Sequence, residues 1–279
     1  NWSRAQSFES AAAHDFLGGD FYGGRDEQLV VCKLMLNLSE RRPIEFMTTV
    51  TCDLTAHESL KSQEEHNLLA FAAIAHNAAF LAIAACDPDG STNPAVLDTV
   101  ARSFARIAPY EPFLGGVPVE EVAVYFSSAS KMNFADDGAV LCELTTSGST
   151  DYPHFHAVRG ACRALQAAHI PFGVITRKQI GELARYRVVV LPNVLRMDDE
   201  ECEAVRRYVA EGGKVYASRL TSLTDASGAR GEDFALTDVF GVSFEAEEEG
   251  RSIYIEPASE WVCEALAPLA HRAMKVPAL

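Results

Sequence analysis

Two apolar runs with acidic and polar ends constrain this chain most: Pro43 to Asp53 (PIEFMTTVTCD) and Ala79 to Gly90 (AFLAIAACDPDG). Each reads as a buried strand that delivers polar groups at its carboxyl end, the first of them rich in Thr and Val. Between them Leu60 to His76 has helical spacing. A strand, a helix and a second strand joined by short loops make a parallel unit. Parallel strands with carboxylates at their carboxyl ends are how (β/α) barrels build active sites.

The surrounding residues extend the pattern. His14 to Tyr22 reads as a short strand and loop, and Asp26 to Glu40 as a helix with acids early, where the helix dipole favours them. Pro43 stops that helix. Asp89-Gly90 turns the chain. Asn93 and Pro94 open another helix, as cap and first position, running to about Ile107. Three strands cannot close a barrel that needs eight. The expectation is therefore the C-terminal βα units of a (β/α)8-type barrel over residues 1–115, belonging to a longer protein.

Pro109 to Pro118 (PYEPFLGGVP) is dense in Pro and Gly and reads as a domain boundary. A fresh cycle follows over 116–279. Strands are expected at Val119–Phe126, Phe172–Thr176, Val188–Leu191 and Lys214–Ser218. Helices are expected from Pro153 to His169 and from Met197 to a stop at Gly212-Gly213. Lys131–Thr150 and Leu223–Gly231 read as polar loops, Glu245–Glu249 as a solvated turn, and Trp261–Met274 as a helix. This is an α/β, flavodoxin-like doubly wound pattern.

Charge narrows the partners. With 24 Lys and Arg against 39 Asp and Glu, the net charge is −15. Nucleic acid is not an expected partner, because phosphate binding needs clustered cations. No apolar run reaches the ~18 residues of a membrane span, so no membrane partner is expected. Seven scattered cysteines without CxxC spacing read as buried small hydrophobes in a reducing, cytoplasmic compartment.

The first part resembles the carboxyl-terminal end of glycoside hydrolase barrels, closest to the α-L-fucosidase-like group. Glu45-Phe46-Met47-Thr48, Lys61-Ser62 opening a helix, and Asp89-Gly90 ending a strand carry the resemblance, with Tyr110-Glu111-Pro112 and Gly115-Gly116 where such barrels finish. Ile44, Asn77-Ala78-Ala79 and Cys86 depart from that group's pattern. The resemblance places the nucleophile on an earlier strand.

The second part resembles the β-galactosidase trimerisation domain, of class I glutamine-amidotransferase-like fold. Val122–Phe126, Ala168–Phe172, Tyr186–Pro192, Tyr208–Val215 and Leu236–Val242 carry it. Such a domain is typically non-catalytic and helps assemble subunits, which implies a homo-oligomer.

Candidate chemistry follows. The expected activity of the parent is hydrolysis of a glycosidic bond by two carboxylates ~5–9.5 Å apart, on a carbohydrate substrate and with no cofactor or metal. Glu45 and Asp53 are the candidate catalytic carboxylates. Glu45 lies at the start of its strand, where an ion pair is the plainer role, and Asp53 is also a natural helix cap. His57, Lys61 and Asp87 are candidate substrate-binding residues. By itself the chain is expected to be inactive. The rival reading is a non-catalytic oligomerisation or carbohydrate-binding module. His154 and His156 form an H-x-H pair, but at a helix start they diverge, so no metal site is expected. A glutaminase needs a cysteine at a sharp strand-to-helix turn. Strand four ends Ala217-Ser218-Arg219-Leu220 and offers none.

Overall fold

The computed structural model describes residues 11–21, 24–52, 59–131 and 153–247. Residues 1–242 form one compact unit and 243–279 another. In the second, only 243–247 are described, without helix or strand. The expected helix at Trp261–Met274 and most of the Lys131–Thr150 loop lie outside the described residues.

The first strand, β1 (Ile44–Thr49), follows helix α1 (Arg25–Leu38). Helix α2 (Gln63–Ala75) leads to β2 (Ala78–Ile83), and α3 (Pro94–Ile107) follows. β1 and β2 are parallel, from Ile44 opposite Ala78 to Thr49 opposite Ile83. The short strand expected near His14–Tyr22 is a single bridge, Asp20 to Met47. It is extended by hydrogen bonds from Glu45 N to Leu17 O (2.9 Å) and from Phe21 N to Met47 O (2.8 Å). Three extended segments therefore lie side by side, with β1 in the middle.

Helix formation here follows local chemistry. Ser62 caps α2 by accepting from Glu65 N. Its buried residues His66, Leu69, Ala70, Ala73 and Ile74 recur at helical spacing. Asn93 caps α3 with Pro94 in its first turn, as expected. On β1 and β2 the residues Ile44, Phe46, Thr48, Ala78 and Phe80 are buried, whereas Ala79 and Leu81 on the alternate face are exposed. Glu45 and Met47 share that open face by register.

The second sheet contains β3 (Val122–Tyr125), β4 (Phe172–Ile175), β5 (Val188–Leu191) and β6 (Lys214–Ala217). All pairings are parallel, in the order β4-β3-β5-β6. Helix α4 (Ser128–Lys131) is one turn. Helices α5 (Pro153–Ala167), α6 (Asp199–Ala210) and the short α7 (Thr237–Phe240) complete the unit. A 3-10 helix, Arg177–Arg185, lies between β4 and β5, where the sequence pattern had no element. Only Gln179 and Leu183 of it are buried, too short a stripe to register as periodicity.

One hydrophobic core runs through both sheets. It joins Leu34, Met35, Phe46 and Ala73 with Val124, Val158, Phe172 and Val174. The link is α1, whose buried residues occupy most of its circumference. It packs on β1 and α2 as well as on β4 and α5. A helix that buries residues against a sheet on either side of it belongs inside a core.

Candidate active site

The carboxyl ends of β1 and β2 carry a small polar constellation. Lys61 Nζ donates to Thr49 O at 2.5 Å, and Lys61 N donates to Val50 O at 3.0 Å. The Thr49 and Thr51 hydroxyls lie 2.5 Å apart. Cys52 N donates to Ser59 O at 2.7 Å. These bonds hold Ser59, Leu60 and Lys61 against the strand end. Burial lowers the pKa of Lys61, opposed by Glu65 and Cys52. Its ammonium can donate to a hydroxylated ligand, whereas Thr49 and Thr51 are buried and stiffen the strand end.

Asp87 belongs to an exposed turn. Its main-chain N donates to Ser91 O at 2.9 Å, and its carboxylate accepts from Ser91 Oγ at 3.3 Å. Glu45 sits at the other end of its strand, level with Ala79. Ile83 ends β2, and four residues of rise put it ~13 Å past that level. Glu45, a candidate catalytic carboxylate, therefore lies at the opposite end of the strands from the turn that carries Asp87, a candidate substrate-binding residue. Asp53 and His57 lie outside the described residues.

Beneath the strand ends, α2 and α3 share a polar network that the sequence pattern did not reveal. Ser103 Oγ donates to Asn67 Oδ1 at 2.9 Å and accepts from Gln63 Nε2 at 2.9 Å. His66 Nδ1 lies 2.8 Å from Ser103 Oγ. With the hydroxyl proton on Asn67, the imidazole is the donor in that contact. Burial, with Lys61 nearby, lowers the His66 pKa. Its only sequence signal was a histidine within a buried helical stripe.

In the second sheet the chain reverses direction of build between β3 and β5. Parallel α/β sheets usually bind ligands at such a point. Here His154 fills it. His154 Nε2 accepts from Ser127 N at 2.9 Å, while Nδ1 faces Pro192 O at 2.9 Å and Asn193 O at 3.2 Å. The ring is thereby the neutral Nδ1–H form, and burial pushes its pKa down to about 4. His156 is exposed on the other side of the helix, so the two histidines diverge as expected. Among the described residues no cluster of three metal-ligating side chains exists.

The cysteines require a correction. Cys32, Cys162 and Cys202 are buried, but Cys52 and Cys86 are exposed. Both lie just beyond strand ends, where loops replace the core that apolar neighbours had suggested. Burial pushes the Cys202 thiol up to about 11, which leaves it no nucleophilic character at neutral pH. Among the described residues no helix is long and apolar enough to cross a membrane.

Residues 120–251 match the family model of the β-galactosidase trimerisation domain. The chain is therefore glycoside-hydrolase-like, with a trimerisation-type domain in its second part. Solved structures agree in fold. A β-galactosidase from Rahnella sp. R3 is 20% identical, with a TM-score of 0.63, over 80% of this chain and 36% of its own. A β-galactosidase from Bacillus circulans sp. alkalophilus is 18% identical, with a TM-score of 0.61, over 80% and 35%. α-L-Fucosidase isoenzyme 2 from Paenibacillus thiaminolyticus is 17% identical, with a TM-score of 0.60, over 81% and 33%. The chain thus spans about a third of the length of these structures. No curated protein sequence matches it.

Proposed function

We propose that this chain supplies the last strands of a catalytic barrel and the adjoining trimerisation-type domain of a glycoside hydrolase. The observation that carries this reading is the order of parts. A parallel β1-α2-β2-α3 stretch, helix-covered on one face and open on the other, leads directly into the segment matched by the trimerisation-domain model. The open face of β1 and β2 fits the inner wall of a barrel, which neighbouring strands would complete.

In this reading the bond is cleaved by two carboxylates, one as acid and one as base or nucleophile. Asp53 is placed in sequence at the productive strand end and is the better candidate of the two carboxylates first singled out. Glu45 serves the structure at the amino-terminal end. Lys61, held against Thr49, orients substrate hydroxyls, with His57, four residues earlier in sequence, and Asp87, in the turn after β2, as the further candidate contacts. The order of the second sheet, second-first-third-fourth, supports reading it as a flavodoxin-like winding. In this reading it is non-catalytic, which the filling of its switch point by His154 supports, and it assembles subunits, which the likeness to a trimerisation domain supports.

Aryl β-galactosides and α-fucosides test the reading, given to this chain and to a longer protein containing it. Turnover by the longer protein alone is the expected result. Turnover by the 279-residue chain overturns the view that its catalytic constellation is partial. No turnover by either protein overturns the hydrolase reading. Sedimentation of the chain as a trimer is expected of the second part.

A further inference from the structure

A groove of about 350 Å³ lies at the amino-terminal ends of β2 and β3, at the opposite end of the strands from Lys61. Its polar side chains are those of Lys33, His76, Asn77 and Glu120, and its apolar lining includes Phe113, Leu114 and Val117. We propose that this groove binds a neutral sugar unit.

Charge selects against ionic ligands. Lys33 contributes one positive and Glu120 one negative group, so an anion or a cation entering the groove meets a like charge as well as an opposite one. A neutral polyhydroxyl ligand meets donors and acceptors together. Lys33 Nζ gives one hydrogen to Phe172 O, and an ammonium has three. The Glu120 carboxylate accepts from Asn37 and Tyr186, and its oxygens together offer about four acceptor positions. His76 Nδ1 bonds Ala72 O at 2.7 Å. With the proton on that nitrogen, Nε2 remains an acceptor.

The apolar wall selects among polyols. Phe113 is 81% exposed and Val117 84%, an unusual outlay of apolar surface beside polar groups. A pyranose has an apolar C–H face and a rim of hydroxyls, and matches both walls. The wall is also fixed in place. Asn77, at φ 55°, accepts from Gly115 N and donates to Gly116 O, each at 2.9 Å. The linker carrying Phe113 and Val117 is thereby pinned to the end of α2. The volume falls within the ~300–1,000 Å³ of small-ligand sites. The choice of a sugar among neutral polyols rests on the glycoside-hydrolase reading.

Saturation-transfer NMR on the chain tests this, with methyl β-D-galactoside, methyl α-L-fucoside and glycerol as probes. The glycosides are expected to receive saturation and glycerol not. Phe113→Ser, at an exposed position, should weaken glycoside binding by about tenfold with an unchanged circular dichroism spectrum. Leu97→Ser, at an exposed apolar position of α3 outside the groove, should leave binding unchanged. No transfer, equal transfer to glycerol, or transfer indifferent to Phe113→Ser overturns the proposal. Loss of binding in Lys61→Met rather than in Phe113→Ser moves the sugar to the other strand ends. That result overturns the groove while leaving the hydrolase reading standing.

Discussion

The Lys33 ammonium donates a 2.7 Å hydrogen bond to the main-chain carbonyl of Phe172 and lies 4.6 Å from the centre of the same residue's ring. Four residues later on α1, Asn37 Nδ2 donates to Val174 O at 3.0 Å. Phe172 and Val174 are alternate residues of β4, an edge strand, so α1 satisfies that edge with side chains at helical spacing. An uncovered edge invites pairing with other chains. Lys33→Met should leave the Phe172 carbonyl unpaired and cost about 1–3 kcal/mol. Urea denaturation followed by circular dichroism would show it as a lower midpoint at unchanged slope. An unchanged midpoint would mean that water replaces the ammonium at no cost.

Glu120 lies over Gly173. A Cβ built on that glycine would stand 2.4 Å from Glu120 Cδ. Glu120 in turn accepts from Asn37 Nδ2 at 3.2 Å and Tyr186 OH at 3.4 Å. Gly173→Ala should therefore displace the carboxylate from Asn37 and Tyr186 and destabilise by about 1 kcal/mol. Adding Glu120→Ala should recover part of that loss, because the two changes act on one contact. Additive losses in the double variant would show that the glycine is needed for some other reason.

His154 makes stability depend on pH with a predictable sign. Its pKa is about 4 in the fold, against an ordinary value of 6.5. Below 6.5 the unfolded chain takes up a proton that the folded chain refuses, so stability falls as pH drops towards 4 and then levels off. The full difference is about 3 kcal/mol. Lys131 is the nearby charge that adds to the effect of burial. Urea midpoints measured from pH 7 to 4 should fall more steeply in the wild type than in His154→Gln. Parallel slopes would place the acid sensitivity elsewhere.

Much of this architecture was legible because its signals are local. The Asn93-Pro94 start, the Ser62-led helix and the Gly212-Gly213 stop rest on caps and backbone preference within a few residues. The apolar runs at β1, β2 and β5 follow from burial on both faces or one. What was hidden depends on residues distant in sequence. Lys33 and Asn37 look like the polar side of an amphipathic helix until β4, some 140 positions later, is laid against them. The exposure of Cys52 and Cys86 is equally non-local, since it depends on where the strands stop. The candidate site was legible as a strand end but not as a geometry. Lys61 proves to be tied to Thr49, whereas Glu45 sits at the other end of its strand from Asp87.

Thiol exposure gives a direct reading of the strand ends. In a Cys142→Ser, Cys263→Ser background, two thiols, those of Cys52 and Cys86, should react quickly with an aromatic disulfide reagent. The other three should wait for unfolding, since burial pushes Cys32 and Cys162 up to about 12 and thiolate is the reacting form. Mass mapping of the fast adducts identifies the sites. Fast labelling of Cys162 would contradict its place in the core.

Asp198 begins α6 and holds three interactions at once. Its side chain accepts from Glu201 N at 2.8 Å, and Glu201 Oε2 accepts from Asp198 N at 2.9 Å, a reciprocal capping box. Arg177, from the 3-10 helix after β4, pairs with both Asp198 and Glu200. Glu201 reaches inward to accept from the buried Tyr125 hydroxyl on β3. The cap therefore sets the position of a carboxylate that ties the helix to the middle of the sheet. Asp198→Ala should cost about 1–2 kcal/mol from the cap alone. Asp199→Ala, one residue on and without these partners, should cost less than half of that. The comparison is made by thermal unfolding of both variants, with Asp198→Asn as the third arm, because asparagine keeps the cap and removes the charge facing Arg177. If Asn restores wild-type stability, the cap dominates. If it behaves like Ala, the ion pair with Arg177 carries the effect.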